Sequence, residues 1–414
     1  MASRSDLFAL IDAAQTEQVE RLIAWSGINS GSFNLAGLAA MADNLKALFS
    51  PLADSCEVID LPEREQLDDQ GVVQHIQHGR LLSFAKRPDA PVQVLLVGHM
   101  DTVFPATSPF QNARFIDDNT LHGPGVADMK GGLLVIYQAL SAWEQHPDAA
   151  KLGWRVVINP DEETGSIASA PWLERFAKQA DLGMVYEPAL ADGTLAGERK
   201  GSGNFSLRAT GRSAHAGREF HLGRNAIAAL SEALVALHGL NQKAEQEAPG
   251  LTVNIGRIHG GGPVNVVPDM AVAHFNVRLA DSGNQAWFSQ QLAQIVEQIN
   301  LQDGISLELF GGFTRPAKTA TPAYQMLCQW LTECGDELSV PVTFKATGGC
   351  CDGNNLAAAG LPNIDTLGVR GGQIHTEQEF MFVDSLAERA KLSLLLLERA
   401  ASDGVQLKAL RKTQ

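Results

Sequence analysis

The sequence predicts an α/β protein with a mainly parallel sheet in its larger domain and an inserted ferredoxin-like α+β domain. Three observations predict this fold class: the length of the chain, the alternation of short apolar runs with helical patterns after residue 92, and a change of pattern near Gly201. The 414 residues exceed the roughly 250 to 300 at which a single hydrophobic core stops growing. We therefore expect a discontinuous domain formed by residues 1–200 and 314–414, and an inserted domain formed by residues 201–313.

The larger domain is predicted from the spacing of its apolar residues. Residues 19–23 and 38–48 have the spacing of two early helices. Strands and helices then alternate as in a parallel α/β sheet, with strand 92–97, helix 131–140, strand 154–158, helix 171–178 and strand 182–185. The same style resumes later with helix 323–334, strands 342–345 and 363–367, and helix 384–401.

The inserted domain is predicted from a different order of patterns between those two parts. The predicted elements are strand 204–209, helix 223–240, strands 251–258 and 270–279, helix 284–299 and strand 305–310. This β-α-β-β-α-β order is the order of a ferredoxin-like domain.

The composition is that of a globular enzyme and argues against several other classes. Hydrophobic residues make up 45% of the chain and charged residues 19%, which is neither a disordered nor a membrane composition. The apolar run at 392–397 is far shorter than the roughly 18 residues that span a bilayer. With 32 basic and 47 acidic residues the net charge is −15, and without a basic cluster this argues against nucleic acid as a partner.

The cysteines and the N-terminus favour a cytoplasmic location. The five cysteines include no C-x-x-C pair, so in a chain of this length they do not suggest a disulfide framework. Residues 1–12 have no basic region, long apolar stretch or small-residue cleavage site. We therefore expect a protein that is neither exported nor attached to a membrane.

Side chains of the types that bind metals follow the predicted strands directly. The segments are Gly-His-Met-Asp at 98–101, Pro-Asp-Glu-Glu at 160–163 and Tyr-Glu-Pro at 186–188. Ligands of open α/β sheets bind beyond the carboxyl ends of the strands, so these side chains are expected to converge on one crevice. Asp128 begins a helix after a Gly-Pro-Gly turn, and His375 follows a Gly-Gly pair after the late strand.

Histidine and carboxylate side chains suit zinc, and two zinc ions about 3.5 to 4 Å apart can share one carboxylate and one water. Asp101 lies two residues after His99 in an extended segment, so it is expected to orient the His99 ring. Glu162 and Glu163 are neighbours that should point differently, so one can bind metal while the other moves a proton. A single His or acid is more often solvated or structural; the whole set of residues favours a metal site.

These motifs resemble the family of co-catalytic zinc peptidases and deacylases that includes glutamate carboxypeptidase, acetylornithine deacetylase and succinyl-diaminopimelate desuccinylase. The resemblance runs through nearly the whole chain. Its most specific parts are GHMDTV at 98–103, GPGVADMKGG at 123–132 and DEETGS at 161–166. It is closest to the glutamate carboxypeptidase branch.

The resemblance implies two Zn²⁺ per subunit, with Mn²⁺ and Co²⁺ as open alternatives. His99, Asp128 and Glu187 would bind one ion, and Asp128, Glu163 and His375 the other. Glu162 would be the general base acting on a water between the metals, with Asp101 as a further catalytic residue. The resemblance also implies a cis peptide bond between Asp128 and Met129.

In the inserted domain the resemblance implies dimerisation and substrate binding. His215 matches a histidine that reaches the active site of a neighbouring subunit and polarises the scissile carbonyl, which implies a homodimer through this domain. Asn265 and Arg278 match positions that hold the substrate carboxylate, a task that suits the planar fork of arginine. An ion pair on the strand surface is the alternative interpretation of Arg278.

The segment Gly-Gly-Cys-Cys-Asp at 348–352 departs from the family, whose members often have Gly-Gly-Gly-Ser-Asp or Gly-Gly-Gly-Thr-Asp there. Cys350 and Cys351 are interpreted as small reduced side chains filling this loop. A site sensitive to redox or metals is the alternative.

The predicted function is a zinc-dependent carboxypeptidase that hydrolyses the amide bond next to a free carboxylate of a small peptide. The nearest alternative is an N-acyl amino acid deacylase, because both reactions need the same groups. A non-catalytic binding protein that kept the fold and an enzyme with one metal ion, or with manganese, are further alternatives.

Overall fold

The structure is a computed structural model and describes residues 2–411. In that range no helix combines the length and the apolar character needed to cross a bilayer. The α-helices are α1 (Arg4–Ser26), α2 (Leu35–Phe49), α3 (Lys130–Trp143), α4 (Ala170–Ala177), α5 (Ala226–Glu247), α6 (Ser282–Asn300), α7 (Pro322–Leu338), α8 (Asp352–Ala358) and α9 (Ser385–Arg411). Short 3₁₀ turns cover Ser50–Leu52, Ala149–Lys151, Glu162–Thr164 and Phe220–Leu222.

The strands of the first half are β1 (Ser55–Asp60), β2 (Arg64–Leu67), β3 (Val73–Ile76), β4 (Arg80–Lys86), β5 (Val92–His99), β6 (Arg114–Phe115), β7 (Thr120–His122), β8 (Leu152–Asn159), β9 (Leu182–Val185), β10 (Ala189–Leu190) and β11 (Leu195–Arg199). Those of the second half are β12 (Gly201–Thr210), β13 (Ala214–His215), β14 (Thr252–Gly260), β15 (Val266–Val267), β16 (Met270–Leu279), β17 (Ser306–Arg315), β18 (Phe344–Thr347), β19 (Asn363–Ile364), β20 (Arg370–Gly372) and β21 (Phe380–Phe382).

The largest sheet has the strand order β1-β4-β8-β5-β9-β19. Its strands β8, β5, β9 and β19 are parallel, as predicted. At one edge β4 pairs antiparallel with β8, and β1 pairs antiparallel with β4. The register places His99 opposite Asn159, and Val97 opposite Val185. The carboxyl ends of β5, β8 and β9 therefore lie side by side, and the segments that follow these strands begin at one edge of the sheet.

Helices cover both faces of this sheet because its central strands are apolar on both sides, as expected for parallel strands. One core contains α1, α2, α3, α7 and α9 together with side chains of the sheet such as Leu96 and Val156. A smaller core on the other face contains Leu95, Val97 and Val157 with residues of α4 and α8. The fold class predicted from the sequence is confirmed for this part of the chain.

A separate four-stranded antiparallel sheet has the order β14-β16-β12-β17. In the numbering of a β-α-β-β-α-β unit this is the order 2-3-1-4, which is the ferredoxin-like arrangement that the sequence predicts. Helices α5 and α6 pack on one face of the sheet around Phe205, Phe275 and Phe288, in a core of their own. The division into residues 1–200 with 314–414 and residues 201–313 stays a prediction. Strand β17 runs across the predicted boundary between residues 313 and 314.

The hairpin formed by β2 and β3 was not predicted, and it joins the two sheets. Asp69 at its tip pairs with the Arg257 guanidinium at 3.0 Å and lies 3.1 Å from His274 Nε2. The Arg208 guanidinium on β12 donates a hydrogen bond of 2.6 Å to the Gly71 carbonyl oxygen. The hairpin thus connects the larger domain to the inserted sheet through polar contacts.

Gly132 on α3 provides a test of how closely the helix packs on the sheet. A Cβ at this position would lie 2.1 Å from the Tyr186 carbonyl oxygen, so the Gly132→Ala variant must push α3 away from the segment that leads to Glu187. We expect the free energy of unfolding to fall by about 1–3 kcal/mol or more, measured by urea and thermal unfolding.

The matched control is Gly239→Ala in α5, where nothing lies within 4 Å of the added Cβ. That variant should be neutral or should gain about 0.5–1 kcal/mol from helix propensity. Equal stability of the two variants would contradict the close packing of α3.

Candidate metal centre

The predicted metal-binding residues come together beyond the carboxyl ends of the parallel strands. His99 ends β5, Glu162 and Glu163 lie in the 3₁₀ turn after β8, and Glu187 lies two residues after the end of β9. Asp128 lies just before α3. His375 lies in the loop after β20, and its Nε2 faces the Asp128 carboxylate. Most of these side chains are buried, whereas that of His375 is about half exposed.

Asp128 stands at the centre of the cluster, with one carboxylate oxygen facing each histidine. His99 Nε2 lies 3.1 Å from Asp128 Oδ1, and His375 Nε2 lies 3.2 Å from Asp128 Oδ2. On the first side Glu187 Oε2 is 3.9 Å from His99 Nε2, and on the second Glu163 Oε2 is 3.1 Å from His375 Nε2. The geometry therefore forms two groups of possible metal ligands that share Asp128.

The donor set of these five residues fits divalent cations. Glu187 Oε1 is buried without a hydrogen-bond partner in residues 2–411, although a buried carboxylate normally has one. Burial, followed by the charge of Asp128, raises the pKa of Glu163 to about 7. Burial likewise raises the pKa of Glu187. A cation among these carboxylates would relieve the desolvation and the repulsion that cause the shifts.

Glu162 also lies close to the cluster. Ligand atoms of His99, Glu162 and Glu187 lie within 4.8 Å of one another, as do those of His99, Asp128 and Glu163. Burial raises the pKa of Glu162 well above its usual range. Distance alone therefore does not separate the two neighbouring glutamates; the contact of Glu163, not Glu162, with His375 does.

Asp101 connects His99 to the turn that carries both glutamates. His99 Nδ1 lies 3.0 Å from the Asp101 carbonyl oxygen and 3.3 Å from Asp101 Oδ1. The same carboxylate accepts hydrogen bonds of 3.2 Å from the backbone N–H groups of Glu162 and Glu163, and one of 2.7 Å from the Ser32 hydroxyl. The position of Asp101 fits the predicted orientation of the His99 ring, and its bonds to the glutamate turn are an addition to that prediction.

Glu379 was missed in the sequence, and it holds the loop that carries Asp128. Its carboxylate accepts hydrogen bonds from the backbone N–H groups of Gly125, Ala127 and Asp128 at 3.1, 2.9 and 3.0 Å. The peptide bond between Asp128 and Met129 in this loop is cis, as the resemblance implied. Only the position of Glu379 four residues after His375 could have drawn attention to it.

A second missed residue is Arg315, whose guanidinium contacts Glu162 Oε1 at 2.6 Å and Asp352 Oδ1 at 2.9 Å. No local pattern indicates this contact, because Arg315 lies 153 residues from Glu162. Arg315 therefore belongs to the immediate surroundings of the predicted base.

A cavity of about 430 Å³ opens beside the cluster and contains Asp128, both neighbouring glutamates, Glu187 and His375 in its wall. Leu190, Leu195 and Ile374 give it an apolar side. Cys350 and Cys351 also line it; Cys351 is buried, and burial raises the pKa of its thiol well above the usual range. The cavity offers space for a substrate group next to the predicted metal ligands.

Arg278 on the inserted sheet contacts one wall residue of this cavity, because its Nη1 donates a hydrogen bond of 3.2 Å to Cys350 Sγ. His215 and Asn265 do not reach it. They are exposed and lie together, with the Ala216 N–H donating to the Asn265 carbonyl oxygen at 2.9 Å. In the described part of the chain no contact joins His215 or Asn265 to the predicted metal ligands.

Comparisons with known proteins show the family to which the chain is similar. A model of peptidase family M20/M25/M40 matches residues 95–399. Carboxypeptidase G2 from Pseudomonas sp. (strain RS-16) is 28% identical over 73% of this chain and 73% of its own length. Succinyl-diaminopimelate desuccinylase from Bordetella bronchiseptica is 28% identical over 73% of this chain and 82% of its own.

A solved structure of an M20 family metallo-carboxypeptidase from Sulfolobus solfataricus superposes with a TM-score of 0.72. It is 14% identical, and the match covers 93% of this chain and 99% of that one. The similarity confirms the α/β fold with its second, smaller antiparallel sheet and the two helices packed on that sheet.

The shared position of Asp128 predicts how metal content responds to substitution. Asp128→Asn should lose both ions and His375→Ala one of two, counted by elemental analysis of purified protein. Adding metal to chelator-treated wild-type protein should raise Tm, because a ligand that binds only the folded state adds about 4 kcal/mol at 1,000 times its Kd.

The control is Asp148→Asn, which removes an exposed acid paired with Lys151 at 2.8 Å, and it should bind metal as the wild type does. Wild-type metal content in the Asp128→Asn variant would contradict the shared ligand.

Proposed function

The chain belongs to peptidase family M20/M25/M40 and is a hydrolase of amide bonds, and from this premise we propose that it is a zinc-dependent carboxypeptidase. Its substrate would be a small peptide with a free carboxylate next to the scissile amide. The observation that carries this proposal is the pair of ligand sets around Asp128 with Glu162 beside them. The cytoplasmic location stays a prediction.

We propose that His99, Asp128 and Glu187 hold one Zn²⁺, and that Asp128, Glu163 and His375 hold the other. Zinc suits this set of imidazole and carboxylate ligands, while Mn²⁺ and Co²⁺ remain alternatives that affinity alone does not separate. When bound, such ions supply Lewis acidity toward a water and toward the carbonyl oxygen of the substrate. Asp101 would hold the ring of His99 in the orientation that ligation needs.

Glu162 would move the proton of the reaction. It accepts a proton from the attacking water while the water oxygen forms the new bond to the carbonyl carbon. It then gives this proton to the amide nitrogen as the carbon–nitrogen bond breaks, so that the products are a carboxylic acid and a free amine. The raised pKa of the Glu162 carboxyl, caused by burial, suits a group that must both accept and release a proton.

Arg278 is proposed to hold the free carboxylate of the substrate. Asn265 is proposed to do so in the site of another subunit, together with His215 beside it, because neither reaches the cavity of its own subunit. The support for Arg278 is its contact with Cys350, which lines the cavity. Among the described residues, the weakly accepting Cys350 Sγ is the only hydrogen-bond acceptor of its guanidinium. A carboxylate would be the stronger acceptor. The similarity to Carboxypeptidase G2 favours this use of the site.

An N-acyl amino acid deacylase is the second candidate function. Succinyl-diaminopimelate desuccinylase is as similar in sequence as Carboxypeptidase G2 is. The residues proposed above serve either reaction, because both cleave an amide near a carboxylate. The apolar side of the cavity, formed by Leu190, Leu195 and Ile374, could take an acyl chain as well as an amino-acid side chain.

A homodimer is proposed because His215 is exposed and, among the described residues, contacts none of the predicted metal ligands of its own subunit. Apolar side chains near it are also exposed, with Phe220 at 65%, Leu222 at 47% and Val264 fully exposed. Such a patch is typical of a protein interface. His215 would then complete the site of the other subunit.

The proposed base is tested by Glu162→Gln, which keeps the shape of the side chain and removes its ability to carry the proton. We expect kcat to fall by about 10²- to 10⁴-fold, with metal content unchanged. Wild-type turnover by a variant with normal metal content would overturn the mechanism.

The two candidate functions are separated by a hydrolysis assay of the metal-loaded enzyme. Folyl-glutamate and dipeptides represent the carboxypeptidase, and N-acetyl and N-succinyl amino acids represent the deacylase. We expect the higher kcat/KM on the peptides. A preference of tenfold or more, about 1.4 kcal/mol, for an N-acyl amino acid would assign the chain to the deacylases.

The proposed dimer is tested by mixing two inactive variants, His215→Ala and Glu162→Gln. Random exchange makes half of the dimers mixed, and each mixed dimer has one complete site, so about one quarter of wild-type activity should return. If His215 acts within its own subunit, or if the chain is monomeric, the mixture stays inactive. Sedimentation analysis of the wild type distinguishes these two outcomes.

A further inference from the structure

The guanidinium of Arg315 is among the most fully enclosed charged groups next to the centre. Its side chain is 3% exposed and that of Glu162 is 10% exposed. Nη2 donates to Glu162 Oε1 at 2.6 Å, to the Glu162 carbonyl oxygen at 3.0 Å and to Ser166 Oγ at 2.9 Å. One nitrogen therefore holds both the side chain and the backbone of the proposed base.

The other end of the guanidinium is fixed by residues of α8. Nη1 donates to Asp352 Oδ1 at 2.9 Å and to Asn355 Oδ1 at 3.0 Å. Asp352 is held in turn, because it accepts hydrogen bonds from the Ser166 hydroxyl at 2.5 Å and from Asn159 Nδ2 at 2.7 Å. Arg315 is thus a rigid bridge between a buried acid and Glu162.

These contacts leave the two oxygens of the Glu162 carboxylate in different situations. Oε1 is engaged by Arg315, whereas no described residue donates a hydrogen bond to Oε2. We propose that Arg315 is a positioning residue that fixes the Glu162 carboxylate so that Oε2 faces the reacting water and carries the proton. This inference rests on the proposed function, in which Glu162 is the base.

A direct role of Arg315 in holding substrate does not fit its surroundings. Both terminal nitrogens already have acceptors, and the 3% exposure of the side chain leaves little surface for a substrate carboxylate. Lysine could not replace it, because an ammonium lacks the planar fork that spans Asp352 and Glu162 at once.

The test is Arg315→Lys, which keeps the charge and loses the fork. We expect kcat to fall by about 10- to 100-fold, as for other residues that orient a catalytic group, while KM and metal content stay within about twofold. The control is Arg87→Lys, because Arg87 forms a similar bidentate pair with Glu144, at 2.7 and 2.6 Å, away from the centre. That control should keep wild-type kcat.

A double-mutant cycle decides whether Arg315 acts through Glu162. If it does, Arg315→Lys causes no further loss of kcat in the Glu162→Gln background. An additive loss, or a raised KM with unchanged kcat, would overturn the proposal. If Arg315→Lys does not fold, the fallback variant is Asn355→Ala, which removes one acceptor of the guanidinium. We expect its kcat to fall by a few fold, with no further loss in the Glu162→Gln background. An unchanged kcat would count against the proposal.

The failure of this inference is distinguishable from failure of the proposed function. If Glu162→Gln itself keeps wild-type turnover, the proposed mechanism is wrong. If Glu162→Gln is inactive while Arg315→Lys keeps wild-type kcat, the mechanism stands and the positioning role of Arg315 is wrong.

Discussion

The structure depends on how several carboxylates are kept together in a buried crevice. Asp128, Glu163 and Glu187 lie close enough to repel one another, and burial raises the pKa of both glutamates. Each neighbouring feature can be understood as a response to this crowding. Two histidines approach Asp128 from opposite sides, and a guanidinium neutralises Glu162. The free Oε1 of Glu187 marks charge that the protein itself does not satisfy and that divalent cations would compensate.

The scaffold around this crevice consists of rigid supports rather than long loops. Parallel strands bring His99, the glutamate turn and Glu187 to one edge of the sheet. Asp101 then joins two of these strand ends through hydrogen bonds, and Glu379 holds the loop of Asp128 by three backbone N–H groups. Such outer contacts determine where ligands point, which is why they matter as much as the ligands. Burial, followed by the charge of Asp128, raises the pKa of Glu379 to about 8, which lessens the negative charge that this support adds to the centre.

The sequence predicted the parts of the fold and of the site that depend on local patterns. It predicted the apolar strands β5, β8 and β9 together with the predicted metal-binding residues at or after their ends, because each strand and these residues are neighbours in the chain. The edge strands β1, β2 and β3 were missed because they are short and largely exposed, so they have no apolar alternation. The strand predicted at 363–367 ends at Ile364, where Asp365 turns to pair with Arg199 and Lys318. Glu379 and Arg315 act on residues 251 and 153 positions away, and no local pattern reveals such contacts.

The place of Arg315 at the end of β17 has a consequence for engineering this chain. The strand is an edge of the ferredoxin-like sheet, and its last residue contacts Glu162 in the larger domain, so one continuous segment belongs to the inserted sheet and to the surroundings of Glu162. One way to recombine related proteins is to exchange whole inserted domains at the boundary that the sequence predicts, near residue 313. A chimera joined there would take the strand up to residue 313 from the donor and would keep Arg315 of this chain two residues after the junction. Any change in the register of the foreign strand would then shift the Arg315 guanidinium. A junction after Pro316 keeps the whole strand and its guanidinium together. The residue at position 315 then comes from the donor protein with its inserted domain.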